Sequence, residues 1–264
     1  MKKMTLLLMS LCMVAFLAAC GTAEKEEAST TGSTNSEQKV LKMATSADYP
    51  PFEYIDTAKG SDIIGFDIDL VNALAEKTGY TVKVQDMDFN SLIPALQAKQ
   101  IDLVLAGMTP TPERAENVDF TSIYYTANHM IVSLKDNEVK SVEDLDGKTI
   151  GVQLGSIQEE KAAELAKEVE LKVENRNKIS ELVQEMKAGR IDAAIIEDTV
   201  ANGYFEKDES LAGFTLETAE EEAGSAIAFQ KDSDYTKEFD EALKEMKENG
   251  ELDELIVKWF GGEQ

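Results

Sequence analysis

The sequence predicts an α/β protein that folds as two lobes. From Lys39 onward, short apolar runs alternate with amphipathic stretches, and this alternation of strands with helices indicates parallel-rich sheets covered on both faces. Two segments also repeat one pattern, a helix end followed by Ile-Asp and an apolar strand, with Ile101 and Ile191 aligned. The repeat predicts two lobes of similar topology, each about 100 residues long, although ordinary helix–strand units could produce the likeness by chance.

Hydrophobic periodicity assigns the elements in chain order. The predicted strands are residues 40–45, 81–85, 101–106, 149–153, 171–174 and 191–196. The predicted helices are residues 66–77, 91–98, 157–167 and 179–187, with a helical tail over 234–260. In that tail, core spacing is shown by Leu243, Met246, Leu252, Leu255 and Ile256.

Charge and composition exclude several classes of function. The 264 residues include 51 Asp and Glu against 26 Lys and Arg, a net charge of −25. Such an acidic chain is not expected to bind nucleic acid or an anionic membrane surface. The only histidine is His129, so neither a metal site of several histidines nor a Ser/His/Asp triad is expected. Any catalysis would have to use carboxylates, hydroxyls or lysine. We predict no metal, no cofactor and no catalytic residue.

The N-terminus has the pattern of an export signal. Two lysines precede an apolar run over residues 4–19, which ends in Leu-Ala-Ala-Cys20 and resembles the bacterial lipobox. We predict a signal peptide at 1–19 and lipidation of Cys20; the alternative is an ordinary secretory signal with a chance cysteine. Cleavage would remove Cys12, so no intramolecular disulfide is expected. Residues 20–38 lack large apolar side chains and are expected to form a flexible tether.

Ligands of parallel sheets lie beyond the carboxyl ends of the strands, and a cation follows the strand at 101–106. Thr111 is a plausible N-cap and Pro112 a favoured first helical residue, which places Arg114 in the first turn of a short helix. The interaction of a cation with the helix dipole at this position is unfavourable by a few tenths to about 1 kcal/mol. A bound anion nearby would explain why an arginine stands there. The alternative is a surface arginine paired with a nearby glutamate.

The second lobe has matching features at two strand ends. Residues 152–156 pass through Gly155 into a helix start whose free amides favour anions, although many tight turns look the same. Glu197 and Asp198 follow the strand at 191–196. One of them could neutralise an ammonium group; the alternative is an acidic N-cap, which suits Asp198 better.

Aromatic residues follow the strands of the first lobe. Tyr49, Phe52 and Phe89 could form the walls of a site, or belong to the core, as is most expected for Phe52. A guanidinium and free amides can bind a carboxylate, and an acidic side chain can bind an amine. Together these groups predict a binding site for a zwitterion.

These motifs together resemble the extracellular solute-binding proteins for polar amino acids, the receptors of ABC importers. The matching segments are 44–53 (ATSADYPPFE), 65–70 (GFDIDL), 88–97 (DFNSLIPALQ), 106–114 (AGMTPTPER), 118–121 (VDFT), 152–156 (VQLGS) and 259–261 (WFG).

The resemblance implies a type II periplasmic-binding-protein fold, in which two hinge strands join the lobes. Here the hinges should fall near residues 125–131 and 220–227. Lobe I would comprise 39–127 and 225–264, and lobe II 128–224.

The resemblance also implies a site. Arg114 and the Thr109 amide would hold the ligand carboxylate, with an amide near Ser156 or Ile157 closing from lobe II. The Gly107 carbonyl, the Thr109 hydroxyl and Glu197 would hold the ammonium, between walls formed by Tyr49 and Phe89.

Three residues depart from the family pattern. Glu197 replaces a common Asp, Ile157 a frequent Thr, and Ser46 an acid that meets the distal nitrogen of the ligand in several members. Asp48, Glu53 or Gln153 could compensate for that acid. Specificity therefore stays open between cationic ligands and neutral polar ones such as glutamine.

The resemblance implies a monomeric receptor that closes on a polar amino acid and delivers it to a permease. Its expected place is the outer face of the cell membrane, held there by lipid at Cys20. One alternative is a dehydratase of amino-acid-like rings with Glu197 or Glu53 as the acid, which the expected anchor and the absence of His in the cleft disfavour. The other is a sensory ectodomain.

Overall fold

The computed structural model describes residues 39–58, 60–216 and 224–261. Its strands are β1 (Val40–Thr45), β2 (Asp48–Tyr49), β3 (Glu53–Ile55), β4 (Ile63–Ile64), β5 (Thr81–Asp86), β6 (Leu103–Val104), β7 (Val118–Phe120), β8 (Tyr125–Thr126), β9 (His129–Leu134), β10 (Lys148–Gln153), β11 (Leu171–Arg176), β12 (Ala193–Glu197), β13 (Leu211–Thr215), β14 (Gly224–Ser225) and β15 (Ala228–Gln230). Its α-helices are α1 (Phe66–Thr78), α2 (Leu92–Gln97), α3 (Pro112–Ala115), α4 (Ile157–Leu165), α5 (Ile179–Lys187), α6 (Asp198–Phe205), α7 (Asp234–Asn249) and α8 (Glu251–Phe260).

Lobe I is built on a five-stranded sheet of order β5-β1-β6-β15-β7. The strands β5, β1 and β6 are parallel, and β15 runs antiparallel to both of its neighbours. Helix α1 buries Phe66, Leu70, Val71 and Leu74, the spacing of one helical face. It ends where Gly79 adopts a left-handed backbone, as glycine allows. Helices α7 and α8 pack on α1, so the C-terminal segment completes this lobe.

Lobe II repeats the arrangement with a sheet of order β11-β10-β12-β9-β13. Its first three strands are parallel, and β9 runs antiparallel to β12 and β13. The path β10-α4-β11-α5-β12 matches β1-α1-β5-α2-β6 in lobe I. The predicted α/β fold with two parallel-rich sheets is confirmed.

The repeated Ile-Asp motif makes the same contacts in both lobes. The Asp102 amide donates to the Lys42 carbonyl over 2.8 Å, and its Oδ2 accepts from the Lys42 amide over 2.8 Å. Asp192 makes the equivalent pair with Thr149, over 2.8 and 2.9 Å. The motif therefore fastens the last parallel strand of each lobe to the first.

The two lobes are connected near the predicted hinges. There β8 pairs antiparallel with β14, Gly224 opposite Thr126 and Ser225 opposite Tyr125. The chain then enters β9 of lobe II on one side and β15 of lobe I on the other. Residues 217–223, which include the first part of the second expected hinge (220–227), lie outside the described residues.

Two predicted elements differ clearly from the structure, while the ends of several others shift by one or two residues. The helical tail is broken at Gly250, whose left-handed backbone (φ 85°) separates α7 from α8. The strand at 101–106 pairs only over Leu103–Val104, although Ile101, Leu105 and Ala106 are buried. Burial therefore extends beyond the hydrogen-bonded ladder, which an apolar run alone does not reveal.

Other predictions fall partly outside this structure. Cys12, Cys20, the predicted signal peptide and nearly all of the tether lie outside the described residues. In the described ranges, no helix combines the length and the apolar character that a membrane crossing requires. Nor do His, Cys, Asp and Glu side chains there cluster in threes or more as a metal site would need.

Candidate ligand-binding site

A cavity lies between the carboxyl ends of the strands of the two lobes. From lobe I it is lined by Tyr49, Phe89, Ala106, Gly107, Thr109 and Arg114, and from lobe II by Gln153, Ser156, Ile157, Gln158 and Glu197.

Arg114 is held in place by the start of α3. Thr111 is the N-cap, its hydroxyl accepts a hydrogen bond from the Arg114 amide over 3.3 Å, and Pro112 is the first helical residue. The guanidinium donates to the Thr109 carbonyl over 2.7 Å and lies 5.4 Å from the Phe89 ring centroid. Burial lowers the pKa of Arg114 to about 10, so the group stays cationic at neutral pH.

Arg114 also reaches across the cleft. Its Nη2 donates to the Gly155 carbonyl of lobe II over 2.9 Å. Arginine carries five N–H donors, and the bonds to Thr109 and Gly155 use two of them. The guanidinium therefore keeps donors for a ligand carboxylate.

Glu197 stands at the end of β12, 6% exposed. Burial raises its pKa to about 8, while the Tyr49 hydroxyl, which donates a hydrogen bond to this carboxylate, acts in the opposite direction. Its Oε2 has no hydrogen-bond partner among the described residues. An ammonium group placed beside it would supply that partner and favour the ionised carboxylate.

The wall formed by Tyr49 depends on the glycine opposite it. Gly107 has a φ of 54°, and a Cβ there would lie 2.9 Å from Cε1 of Tyr49. The left-handed backbone and the close approach of the ring both require glycine. Tyr49 and Phe89 are 7% and 8% exposed, so both wall residues face a largely enclosed space.

In lobe II, the start of α4 faces the cavity. Ser156 caps the helix by accepting from the Glu159 amide over 3.3 Å, and its hydroxyl donates to the Gln153 carbonyl over 2.7 Å. Ile157 and Gln158, the first two helical residues, line the cavity. Helix N-termini attract anions, and this one belongs to the lobe opposite that of Arg114.

Ser46 is the one proposed site residue that does not line the cavity. It is 2% exposed, its hydroxyl donates to Asp48 over 3.2 Å, and Gln153 Nε2 lies 3.5 Å from it. Gln153 therefore stands between Ser46 and the cavity. Of the three candidates to replace the missing acid (Asp48, Glu53 and Gln153), only Gln153 lines the site.

Glu53 is instead part of a buried carboxyl pair with Asp67, both 0% exposed. Burial first, and then the charge of Asp67, raise the pKa of Glu53 well above its usual range, and burial raises that of Asp67 to about 6. A protonated Glu53 donates to Asp67. Asp67 Oδ2 also accepts from the Gly107 amide (3.3 Å) and the Tyr124 hydroxyl (3.0 Å), which ties the pair to the cavity wall.

Three other candidate residues do not line the cavity. Phe52 is fully buried among aromatic rings, as predicted. Asp198 is the first residue of α6 rather than its N-cap, and its Oδ1 accepts from the Thr199 amide over 2.7 Å. His129 lies in β9 opposite Glu197, and burial lowers its pKa to about 4.

Sequence reasoning missed Ala106 and Gln158 as lining residues. Each stands directly beside a residue that was proposed, Ala106 before Gly107 and Gln158 after Ile157. Gln158 is only 7% exposed, and an amide side chain at a helix start facing an expected cleft was the available signal.

Comparisons with known proteins agree with this geometry. Residues 41–262 match the family model of bacterial extracellular solute-binding proteins, family 3. The chain is 58% identical over 265 residues, 100% of both chains, to the "Arginine-binding extracellular protein ArtP" of Bacillus subtilis (strain 168).

Solved structures share the fold. An ancestral arginine-binding protein, solved with arginine and with glutamine, has a TM-score of 0.79 at 39% identity, over 85% of this chain and 99% of that one. An ancestral amino-acid-binding protein described as a precursor of cyclohexadienyl dehydratase has a TM-score of 0.74 at 35% identity, over 84% and 95% of the two chains. The site, the two-lobed fold and the match along nearly the whole described chain lead to one conclusion: this protein belongs to the bacterial extracellular solute-binding proteins of family 3.

Proposed function

We propose that this protein binds a cationic amino acid, arginine foremost, between its lobes and delivers it to the permease of an ABC importer. The observation that carries the proposal is that Arg114 of lobe I and Glu197 of lobe II line one cavity between the lobes. A guanidinium suits the α-carboxylate of the ligand, and a carboxylate suits its α-ammonium.

The choice of a cationic ligand draws on two further observations. The relative that is 58% identical is named as arginine-binding, and the chain carries a net charge of −25, which attracts cations. Inside the cavity, the faces of Tyr49 and Phe89 and the amide oxygen of Gln153 can contact a guanidinium side chain. Glutamine is the second candidate, because the ancestral arginine-binding protein was also solved with it.

The mechanism is ligand-driven closure. A ligand that contacts both lobes binds the closed form more tightly than the open form, so it shifts the equilibrium toward closure. The permease then recognises the closed shape. Titration calorimetry with arginine, lysine, histidine and glutamine tests the proposal: arginine should bind most tightly, and failure of all four to bind would reject it.

The remaining parts of the proposal concern delivery and organisation. Residues 1–19 act as the signal peptide, Cys20 carries the lipid, and residues 20–38 tether a monomer to the outer face of the membrane. Lobe I comprises 39–127 and 225–264, and lobe II 128–224. The lipobox-like sequence before Cys20 and the pairing of β8 with β14 support these assignments. Loss of palmitate labelling in Cys20→Ala tests the anchor.

We also propose that the protein has no catalytic activity of its own. An enzyme is the alternative, because one structural neighbour is described as a precursor of a dehydratase. That neighbour is itself described as amino-acid-binding. Prolonged incubation with arginine followed by mass analysis should recover unchanged ligand. A converted product would favour the enzyme, with Glu197 as its acid.

A further inference from the structure

At the start of helix α5 of lobe II, Glu181 accepts hydrogen bonds from the Asn177 and Lys178 amides over 3.1 and 3.2 Å. The N-cap side chain accepts none from the first helical amides. The N-cap residue is Lys178, whose ammonium group cannot accept a hydrogen bond. Helices expose free amides at their first turn, and Ser, Thr, Asp or Asn at the N-cap normally accepts from one of them. Helix α4 follows that rule with Ser156, so the lysine at α5 calls for another acceptor.

Lobe I supplies the missing acceptor. Asp48 of β2 places its Oδ2 3.1 Å from the Ser180 amide, in the first turn of α5, and the Ile179 amide also faces this carboxylate. Sequence separation between Asp48 and Ser180 is 132 residues. The cap therefore exists only while the lobes lie together.

Asp48 is fixed at this place from both lobes. Its carbonyl accepts from the Tyr204 hydroxyl of α6 over 3.0 Å, and its Oδ1 accepts from the Ser46 hydroxyl over 3.2 Å. Burial raises the pKa of Asp48, and the Ser180 amide and the charge of Lys178 act against that rise. Burial thus removes the carboxylate of Asp48 from water, and groups of lobe II supply most of the contacts that stabilise its charge.

Two polar contacts flank the cap. Lys178 pairs with Asp86 over 3.0 Å, and Asn177 Nδ2 donates to Asp88 over 3.1 Å. Asp48 does not line the ligand cavity. Its contacts with lobe II therefore favour closure without direct contact with the ligand cavity.

We propose that Asp48 is a positioning residue for ligand binding, which caps α5 across the cleft and thereby stabilises the closed form. Opening of the lobes leaves the first turn of α5 without its side-chain acceptor, so the cap favours closure by the free energy that capping provides. This inference rests on the proposed function for its binding readout, but closure itself can be measured without ligand.

Substitutions at Asp48 give the first test in the intact protein, with L-arginine as the probe. Removing a cap by Asp48→Ala should weaken arginine affinity about tenfold, mainly through faster dissociation. Asp48→Asn, which keeps a capping oxygen, should stay within about threefold of wild type, since Asn caps as well as Asp. Equal affinities for all three proteins would overturn the proposal.

A cap built into α5 itself gives the decisive test. In Lys178→Ser the helix has its own acceptor in both open and closed forms, so closure gains less from Asp48. Asp48→Ala should then cost less than about twofold in that background, against about tenfold in wild type. Lys178→Gln is the matched control: it also removes the pair with Asp86 but supplies a poor cap, and should keep the tenfold effect. A tenfold loss in both backgrounds would reject capping as the cause.

Closure measured in ligand-free protein separates this inference from the proposed function. Fluorescence transfer between dyes on the two lobes should show a smaller closed fraction for Asp48→Ala than for wild type and Asp48→Asn. If wild type fails to bind arginine, the proposed function fails, while this comparison still tests the cap. Unchanged closed fractions across the three proteins would contradict the inference.

Discussion

Arg114 and Gly155 lie on opposite lobes, and Nη2 of Arg114 donates to the Gly155 carbonyl over 2.9 Å. The side chain proposed to hold the ligand carboxylate thus also joins the lobes. A Cβ on Gly155 would lie 3.1 Å from Cβ of Asn90, so the lobes approach closely at this point. If Arg114 holds the ligand as proposed, one guanidinium serves both recognition and closure.

Proton release on ligand binding is the first prediction. With the lobes together, burial raises the pKa of Glu197 to about 8, so this group is mostly protonated at pH 7 in the closed protein without ligand. An ammonium group beside it favours the ionised form, so binding should release about one proton per arginine at pH 7, and affinity should rise as the pH approaches 8. Calorimetry in buffers of different ionisation enthalpy measures the release, and Glu197→Gln should show none from this site.

Stability in the absence of ligand should depend on pH through the same group. The pKa of Glu197 is raised from 4.5 to about 8 in the folded protein, so between these values the folded state binds more protons than the unfolded state. The free energy of unfolding should therefore fall as the pH rises from about 4.5 to 8. Urea titrations across that range should give a shallower fall for Glu197→Gln. A slope identical to that of wild type would contradict the assignment.

A side chain at Gly107 should disturb the site because it would press on Tyr49, and a second glycine, Gly189, serves as the control. Alanine in a left-handed backbone costs about 1–2 kcal/mol, and it should cost this both at Gly107 (φ 54°) and at Gly189 (φ 67°). Only at Gly107 would the new Cβ press on Tyr49, while at Gly189 nothing lies within 4 Å. Gly107→Ala should weaken arginine binding about tenfold or more.

The control for that prediction is Gly189→Ala. It should lose similar stability in thermal unfolding and bind arginine with unchanged affinity. Equal affinities for the two variants would show that the close approach of Tyr49 to Gly107 does not shape the site.

Much of the fold and most of the site were predictable because their causes are local. The strand at Val40–Thr45 and the helix at Ile179–Lys187 have the predicted bounds, since each follows a clear hydrophobic period. The proposed site residues follow strand ends, and parallel strands bring their carboxyl ends to one edge. Position in the chain therefore predicted that Arg114, Glu197, Tyr49 and Phe89 would meet in the cleft. Gly107, Thr109 and Ile157 were expected from the family resemblance.

The features that sequence reasoning missed depend on contacts between distant segments. Whether Ser46 or Gln153 faces the cavity is decided by the packing of two lobes, which no local pattern records. The break at Gly250 was hidden because the apolar period continues on both sides of it. The role of Asp48 was likewise hidden, because the start of α5 after Lys178 is distant in sequence and only the fold brings the two together.

The most direct test of the account is arginine titration of Arg114→Ala beside Arg190→Ala. Truncating a buried charged partner costs about 2–5 kcal/mol, so Arg114→Ala should lose about thirtyfold or more in affinity while circular dichroism shows an unchanged fold. Arg190 is exposed and paired with Glu185, so Arg190→Ala should bind as wild type does. Near-wild-type affinity in Arg114→Ala would contradict the claim that this guanidinium holds the ligand.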